Sequence, residues 1–505
     1  MGLARSSGVL LPVFSLPGDA AIGDFGAGAR EFVDFLHQAG QTYWQLLPLG
    51  PPAKGDSPYS CYSAFAGNPL YVDVRALKDA GFLPDETIIA DGSQEDRRRP
   101  ISYSAARAQK LPLLRQSYEY FCRCGTESQK QKFEDFCQTS DWWLEDFARF
   151  DALSQHLQQP DWSQWESGLV HRDPDILAHW DQVLAVPIRE AKYLQFLFDW
   201  QWSDLKAYAN SRGVQVYGDM PIFVAYESAD VWARQDLFWL DESGRSTVVA
   251  GVPPDYFSAT GQMWGNPLYR WDRLADTGYR WWTDRIQHAL QQFDLLRIDH
   301  FRAFESYWEI PADAPNAIGG QWKPGPGTAP FDAARTVCGD HLRIVAEDLG
   351  LITAEVHHLR DQLGFPGMRV LQFGFSSEED GYHRPECYPE NSVAYTGTHD
   401  NDTLMGWLAS YRASHGDHAL LRRYVADDAA EPQFDLIRAV FNSAASTAIV
   451  PFQDLLGLGS EARMNTPGEP DGNWHWRCQT EWLSDELAQR LRQLTQESGR
   501  LCLEG

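Results

Sequence analysis

Short apolar runs recur along the chain, and several turn abruptly polar at their C-terminal ends, as strands do where they leave a buried parallel sheet for a functional rim. They lie at Gly8 to Val13, Tyr43 to Leu47, Val214 to Met220, Leu295 to Ile298, Arg343 to Ala346, Met368 to Phe373, Val393 to Thr396 and Ile449 to Leu456. Between the first two, Phe32, Phe35 and Leu36 share one face of a helical pattern from Ala27 to Ala39, which Gly40 ends. That opening of strand, helix and strand is the unit of a parallel sheet. Eight runs joined by helical patterns, such as Thr353 to Leu363, predict an α/β chain folded as a (β/α)8, or TIM, barrel, with a single catalytic domain over residues 1–505.

The rhythm breaks after Leu47. No convincing parallel strand follows until Val214, so residues from about 50 to 213 read as a large helical insertion after the second strand. A Ser-, Pro- and Tyr-rich loop, Asp56 to Asn68, opens it, and a helix from about Pro187 to Asn210 closes it. Tyr193, Phe196, Leu197 and Trp200 recur there at helical spacing, a stripe that reads as core. A second interruption, Gly251 to Tyr269, is rich in proline and glycine; it is expected to lack regular structure, and its length marks it as a functional loop. After the eighth run the chain ends in a short polar helix, which leaves no room for a C-terminal β-sandwich domain.

Candidate chemistry gathers at the ends of three runs. In Leu295 to Arg302 (LLRIDHFR) the two-residue period of a strand puts Arg297 and Asp299 on one side, where the guanidinium holds the carboxylate ionised. Alone, the octet fits either a structural ion pair or a nucleophile. Arg343 to Gly350 (RIVAEDLG) brings Glu347 to a strand end, and Ser392 to Asp402 (SVAYTGTHDND) brings His399 and Asp400. Three carboxylates at three strand ends supply what a glycosidase-type centre needs: a nucleophile, an acid/base and a group that grips sugar hydroxyls. Together these stretches resemble the signatures of the 4-alpha-glucanotransferases (amylomaltases, or disproportionating enzymes, of glycoside hydrolase family 77), relatives of the alpha-amylases.

The resemblance runs from SGVLL near the start to GNWHWR near the end. It implies retaining transfer of alpha-1,4-glucan segments through a covalent glycosyl-enzyme, with Asp299 as nucleophile, Glu347 as acid/base and Asp400 on the hydroxyls of the ring being cleaved. It also implies substrate contacts at Tyr59, Asp219, Gln262, Trp264, Arg297, His300, His399 and Asn465. No cofactor is implied, and no spacing of ligands suggests a metal. The sequence departs from the family pattern at LLPVFSLPG, at Tyr226 and Glu227 in YESADVW, at Ala303, and at Ser376, where an acid is expected after the sixth run. That last change puts one secondary sugar contact in question. An alpha-amylase-type hydrolase would use the same acids, and a catalytically silent glucan-binding protein could share the barrel. The intact Asp299, Glu347 and Asp400 argue against the silent protein.

Composition narrows the partners. Lys and Arg number 43 against 70 Asp and Glu, a formal charge of −27 that repels phosphate backbones and anionic lipids. Nucleic-acid and membrane partners are therefore not expected, whereas neutral maltooligosaccharides and alpha-1,4-glucans are indifferent to it. No stretch approaches the roughly 20 apolar residues of a membrane span. The 20 tryptophans suit sugar rings, although most are expected to pack in the core. Eight cysteines without paired CxxC motifs read as reduced thiols, and with no leader pattern at the N-terminus the expected location is the cytoplasm.

Overall fold

A computed structural model describes residues 3–254, 258–375, 381–414 and 419–502, so the departure at Ser376 lies outside the described residues. The barrel strands, in chain order, are β1 (Ser6–Leu10), β2 (Tyr43–Gln45), β3 (Gln215–Pro221), β4 (Leu295–Asp299), β5 (Ile344–Ala346), β6 (Gly367–Val370), β7 (Ser392–Tyr395) and β8 (Thr447–Pro451). All pair in parallel, in the spatial order β6-β7-β8-β1-β2-β3-β4-β5. The Ala346 N–H donates to the Pro366 carbonyl at 2.9 Å and bridges the remaining gap between β5 and β6. The expected barrel is present.

Its interior is packed. Leu10, Tyr43, Tyr217, Leu295, Val345, Met368, Val370, Val393, Tyr395 and Ile449 form one buried cluster drawn from all eight strands, as barrels of this size fill themselves with side chains. The two-residue period then decides what stands above that layer. Tyr217 pairs with Leu295 across β3 and β4, and the next pair on the same face is Asp219 with Arg297. The register alone places a carboxylate opposite a guanidinium.

Several boundaries differ from expectation. The first run stops as a strand at Leu10, because Pro12 offers no N–H to the sheet and leads into a helical turn at Val13–Ser15. The eighth run is strand only to Pro451; Phe452–Leu455 is helical. The sixth gives way to a helical turn over Leu371–Phe375. Apolar composition could not separate these cases, since a buried turn is as hydrophobic as a buried strand.

Between β2 and β3 run helices that include Tyr103–Cys124, Asp141–Leu157 and Ala185–Ser211. The last carries the expected stripe: Tyr193, Phe196 and Leu197 are buried, Trp200 is partly so, and Phe121 stacks on Tyr193 at 4.8 Å. After β8 the described residues contain helices and loops but no strand. Trp44, Trp162, Trp202, Trp232 and Trp282 are fully buried, whereas Trp142, Trp239, Trp264 and Trp322 are exposed. No helix among the described residues is long and apolar enough to cross a membrane.

The segment from Gly251 to Tyr269 corrects the sequence reading. Rather than an irregular loop, it contributes to a four-stranded antiparallel sheet, ordered Gln262–Pro267, Val248–Val252, Ser306–Pro311, Gln321–Pro324. The prolines do not forbid it, because Pro253 and Pro254 follow one strand and Pro267 ends the next. The glycines permit it. A Cβ at Gly251 would lie 2.2 Å from the Gln262 carbonyl oxygen, and Gly261 turns back at φ 68°. Residues 255–257 of this segment lie outside the described set.

Candidate active site

The mouth at the C-terminal ends of the strands is built around Arg297. Its Nη1 donates to Asp219 Oδ1 and Oδ2 at 2.8 and 2.7 Å, and its Nη2 donates to Asp299 Oδ1 at 2.7 Å. The guanidinium is 5% exposed and the Asp219 carboxylate is fully buried. Removing either would strand a buried charge, at about 3–5 kcal/mol. Asp299 keeps 30% of its side-chain exposure and opens to the mouth. Burial raises its carboxyl above the usual aspartate range, against the pull of Arg297. The sequence reading weighed only that pull.

Glu347 follows β5 by one residue and is held by backbone. His300 N–H donates to its Oε2 and Leu349 N–H to its Oε1, both at 2.7 Å. His300 reaches that position in a left-handed conformation, φ 52°, which costs a non-glycine residue energy that the surroundings must supply. Burial first, and the Asp299 charge second, push the Glu347 carboxyl up to about 7. When the two acids hold a single proton it rests on Glu347, because the guanidinium donates to Asp299.

Asp400 is treated in the opposite way. Asn465 Nδ2 donates to its Oδ1 at 2.6 Å, and His399 Nε2 lies 3.3 Å from the same oxygen. Against burial, His399 and Asn465 bring the carboxyl down to about 2, and Asp400 in turn holds the buried His399 above the usual histidine range. Tyr59 links this side to β3: its hydroxyl donates to Asp219 Oδ2 at 2.6 Å, lies 3.4 Å from His399 Nδ1, and its ring stacks on His399 at 5.0 Å. The mouth is one connected network.

The outer wall comes from the antiparallel sheet. Trp264 meets His300 edge-to-face at 4.8 Å, and its indole N–H donates to Gln262 Oε1 at 3.1 Å. Trp264 is 39% exposed. His300 Nε2 is buried with no hydrogen-bond partner among the described residues, and burial lowers this imidazole to about 3, so the ring is neutral. A buried polar atom without a partner, in an open mouth, marks a place where ligand is expected to bond.

With this geometry in place, similarity decides the family. The profile of the 4-alpha-glucanotransferases, glycoside hydrolase family 77, matches residues 11–483. The chain belongs to the 4-alpha-glucanotransferase family. It is 45% identical to the 4-alpha-glucanotransferase of Synechocystis sp. over 98% of each chain, and 45% identical to that of Thermus thermophilus over 99% of this chain and 100% of the relative. The amylomaltase of Streptococcus agalactiae, solved in complex with acarbose, superposes with a TM-score of 0.92 at 36% identity, covering 98% of this chain and 99% of that one.

In this member of the family, the structure gathers all eleven residues singled out in the sequence around one mouth. Sequence reasoning missed three that shape it. Arg463 donates to the Asp400 carbonyl at 2.7 Å and to the Asn465 carbonyl at 2.8 Å, fixing the two residues relative to each other. Trp474 lies over Tyr59 and His399, at 6.1 and 6.0 Å. Asp348 is buried directly behind Glu347, accepting from Met368 N–H at 2.6 Å and from Arg360. Asp348 left a signal in the acidic doublet after an apolar run, and Trp474 stands within GNWHWR, a stretch that carries the resemblance; Arg463, whose reach to Asp400 spans 63 residues, left none. Of the departures, Tyr226 serves structure, donating to the Gly244 carbonyl at 2.8 Å.

Proposed function

We propose that this chain is a retaining 4-alpha-glucanotransferase that moves segments of alpha-1,4-glucan between maltooligosaccharides. The observation that carries the reading is the unequal treatment of two neighbouring acids: Asp299 is held by Arg297, while Glu347 is buried and kept as a proton carrier. Glu347 gives its proton to the glycosidic oxygen as an Asp299 carboxylate oxygen bonds to the anomeric carbon, and the glycosidic C–O bond breaks. An acceptor hydroxyl then attacks that carbon, its proton passes to Glu347, and Asp299 is released as carboxylate. Asp400 and His399 grip the hydroxyls of the ring at the point of cleavage, contacts that tighten as it flattens toward the oxocarbenium state. Tyr59, Asp219 and Asn465 set that grip, and the free His300 Nε2 takes a sugar hydroxyl.

Gln262 and Trp264 serve the acceptor. Transfer competes with abundant water, so the acceptor subsites must supply orientation, worth effective molarities of about 10⁵ M or more for well-aligned groups. The chain works as one catalytic domain, with residues 50–213 as its inserted subdomain and 251–269 as the segment over the site. The eight cysteines are all free thiols, which fits a reducing cytoplasm. Incubation with maltotriose tests the function: glucose and a ladder of longer and shorter glucans are expected with little growth in total reducing ends. A steady rise in reducing ends, without any product longer than maltotriose, would make the protein an alpha-amylase-type hydrolase instead.

A further inference from the structure

The segment that carries His399 and Asp400 leaves the barrel at the end of β7 and runs into helix Leu404–Ser414. Both of its ends meet one buried carboxylate. Asp454, in the helical turn Phe452–Leu455 that follows β8, accepts from the Thr396 hydroxyl at 2.6 Å through Oδ2 and from the Leu404 N–H at 2.7 Å through Oδ1. Asp454 is 1% exposed and Thr396 is fully buried. The Leu404 N–H lies in the first turn of its helix, where no helix carbonyl can take it, so the carboxylate satisfies an orphan donor at the positive end of the helix dipole. Asp400 stands midway, four residues from either end. Beyond it, Gln372 Nε2 donates to the Asp402 carbonyl at 2.8 Å and the Ser460 hydroxyl to Asp402 Oδ2 at 2.7 Å. The mechanism above uses neither Asp454 nor Thr396.

We infer that Asp454 is a positioning residue for the transfer reaction: by tying Thr396 to Leu404 it fixes the segment on which Asp400 and His399 meet the sugar ring, given the role of Asp400 in the function proposed above. Arg463 and Asn465 hold the Asp400 carbonyl and carboxylate, at the middle of the segment. Asp454 holds its ends. With the ends untied, the nine residues from Thr396 to Leu404 are free to shift together, and a misplacement of about 1 Å at a reacting centre costs about 10²-fold in rate. The tie depends on two bonds rather than on charge. Burial pushes the Asp454 carboxyl up to about 6, and a threonine hydroxyl donates to a carboxylate but accepts from a carboxylic acid, so the tie persists in both forms. An asparagine makes the same pair of bonds, its amide N–H donating to the Thr396 hydroxyl and its carbonyl accepting from the Leu404 N–H.

The test is a double-mutant cycle on the full-length protein, read as kcat and KM for fluoride release from alpha-maltosyl fluoride, an activated donor that keeps slow variants measurable. Asp454→Ala alone should lower kcat about tenfold or more with KM changed less, because the contacts of Asp400 tighten in the transition state. In the Asp400→Asn background the same substitution should lower kcat less than about threefold, since the group it positions is already lost. Asp454→Asn should recover most of the loss. A merely structural Asp454 lowers the melting temperature but leaves kcat of the folded protein unchanged, or lowers it equally in both backgrounds, and either result overturns the proposal. So does Asp454→Asn as slow as Asp454→Ala. If Asp454→Ala fails to fold, Thr396→Val, which keeps the buried shape and removes one of the two bonds, carries the same comparison of backgrounds. Wild-type protein that releases no fluoride overturns the proposed function itself, and Asp400→Asn with undiminished kcat overturns the grip of Asp400 through which Asp454 acts.

Discussion

Glu347 and Asp400 are carboxylates in one barrel mouth, two strands apart, and their surroundings drive them in opposite directions. Around Glu347 the donors are two backbone N–H groups and the charge that acts on it most strongly is another carboxylate, Asp299, so burial wins and the proton is retained up to about 7. Around Asp400 the donors are an imidazole and an amide, and ionisation persists down to about 2 despite burial. A proton carrier needs the first environment; a fixed anion that grips hydroxyls beside a developing oxocarbenium needs the second. The difference comes from the partners, not from the residue type.

If this division is right, the largest loss belongs to the group that forms the covalent bond. Asp299→Asn should lower kcat on maltotriose by about 10⁴-fold or more while the fold is retained, measured by glucose release. Next in size is the pH dependence. Activity requires Glu347 protonated, so kcat/KM should fall as pH rises through about 7. Stability has the same sign for this group. Its folded value lies above the ordinary glutamate value of 4.5, so its contribution is full at low pH and is lost between about 4.5 and about 7. Asp400 has the reverse sign, with a contribution present above 3.8 and lost toward about 2. An alkaline limb well above 7 would remove Glu347 from the role.

Smaller effects sharpen the same contrast. Asn465→Ala removes the 2.6 Å donor from Asp400 and should reduce kcat/KM by about tenfold without moving the alkaline limb, which belongs to Glu347. Trp264→Ala should change total turnover least and show itself as a rise in hydrolysis relative to transfer, read as reducing ends gained per glucose released.

Why the acids were legible and their tuning was not follows from the range of each signal. Period-two alternation placed Arg297 beside Asp299, and polar endings on apolar runs marked Glu347 and Asp400, because strand geometry is local. The insertion showed as a gap in the same rhythm. The antiparallel sheet did not show, since glycine and proline read as breakers until a close approach such as Gly251 to Gln262 is seen. Likewise, Phe452–Leu455 has the composition of a strand but a helical conformation. Arg463 and Trp474 act on residues far along the chain, as in the Trp474 contact with Tyr59, and no spacing encodes that.

The most direct measurement separates the two acids on one protein. Glu347→Gln treated with alpha-maltosyl fluoride needs no proton for departure of fluoride, and lacks the base that activates the acceptor, so the glycosyl-enzyme should accumulate. Peptide mass spectrometry should find the maltosyl ester on Asp299. Fluoride release without a stable adduct on Asp299, or an adduct on another residue, would contradict the assignment of nucleophile and acid.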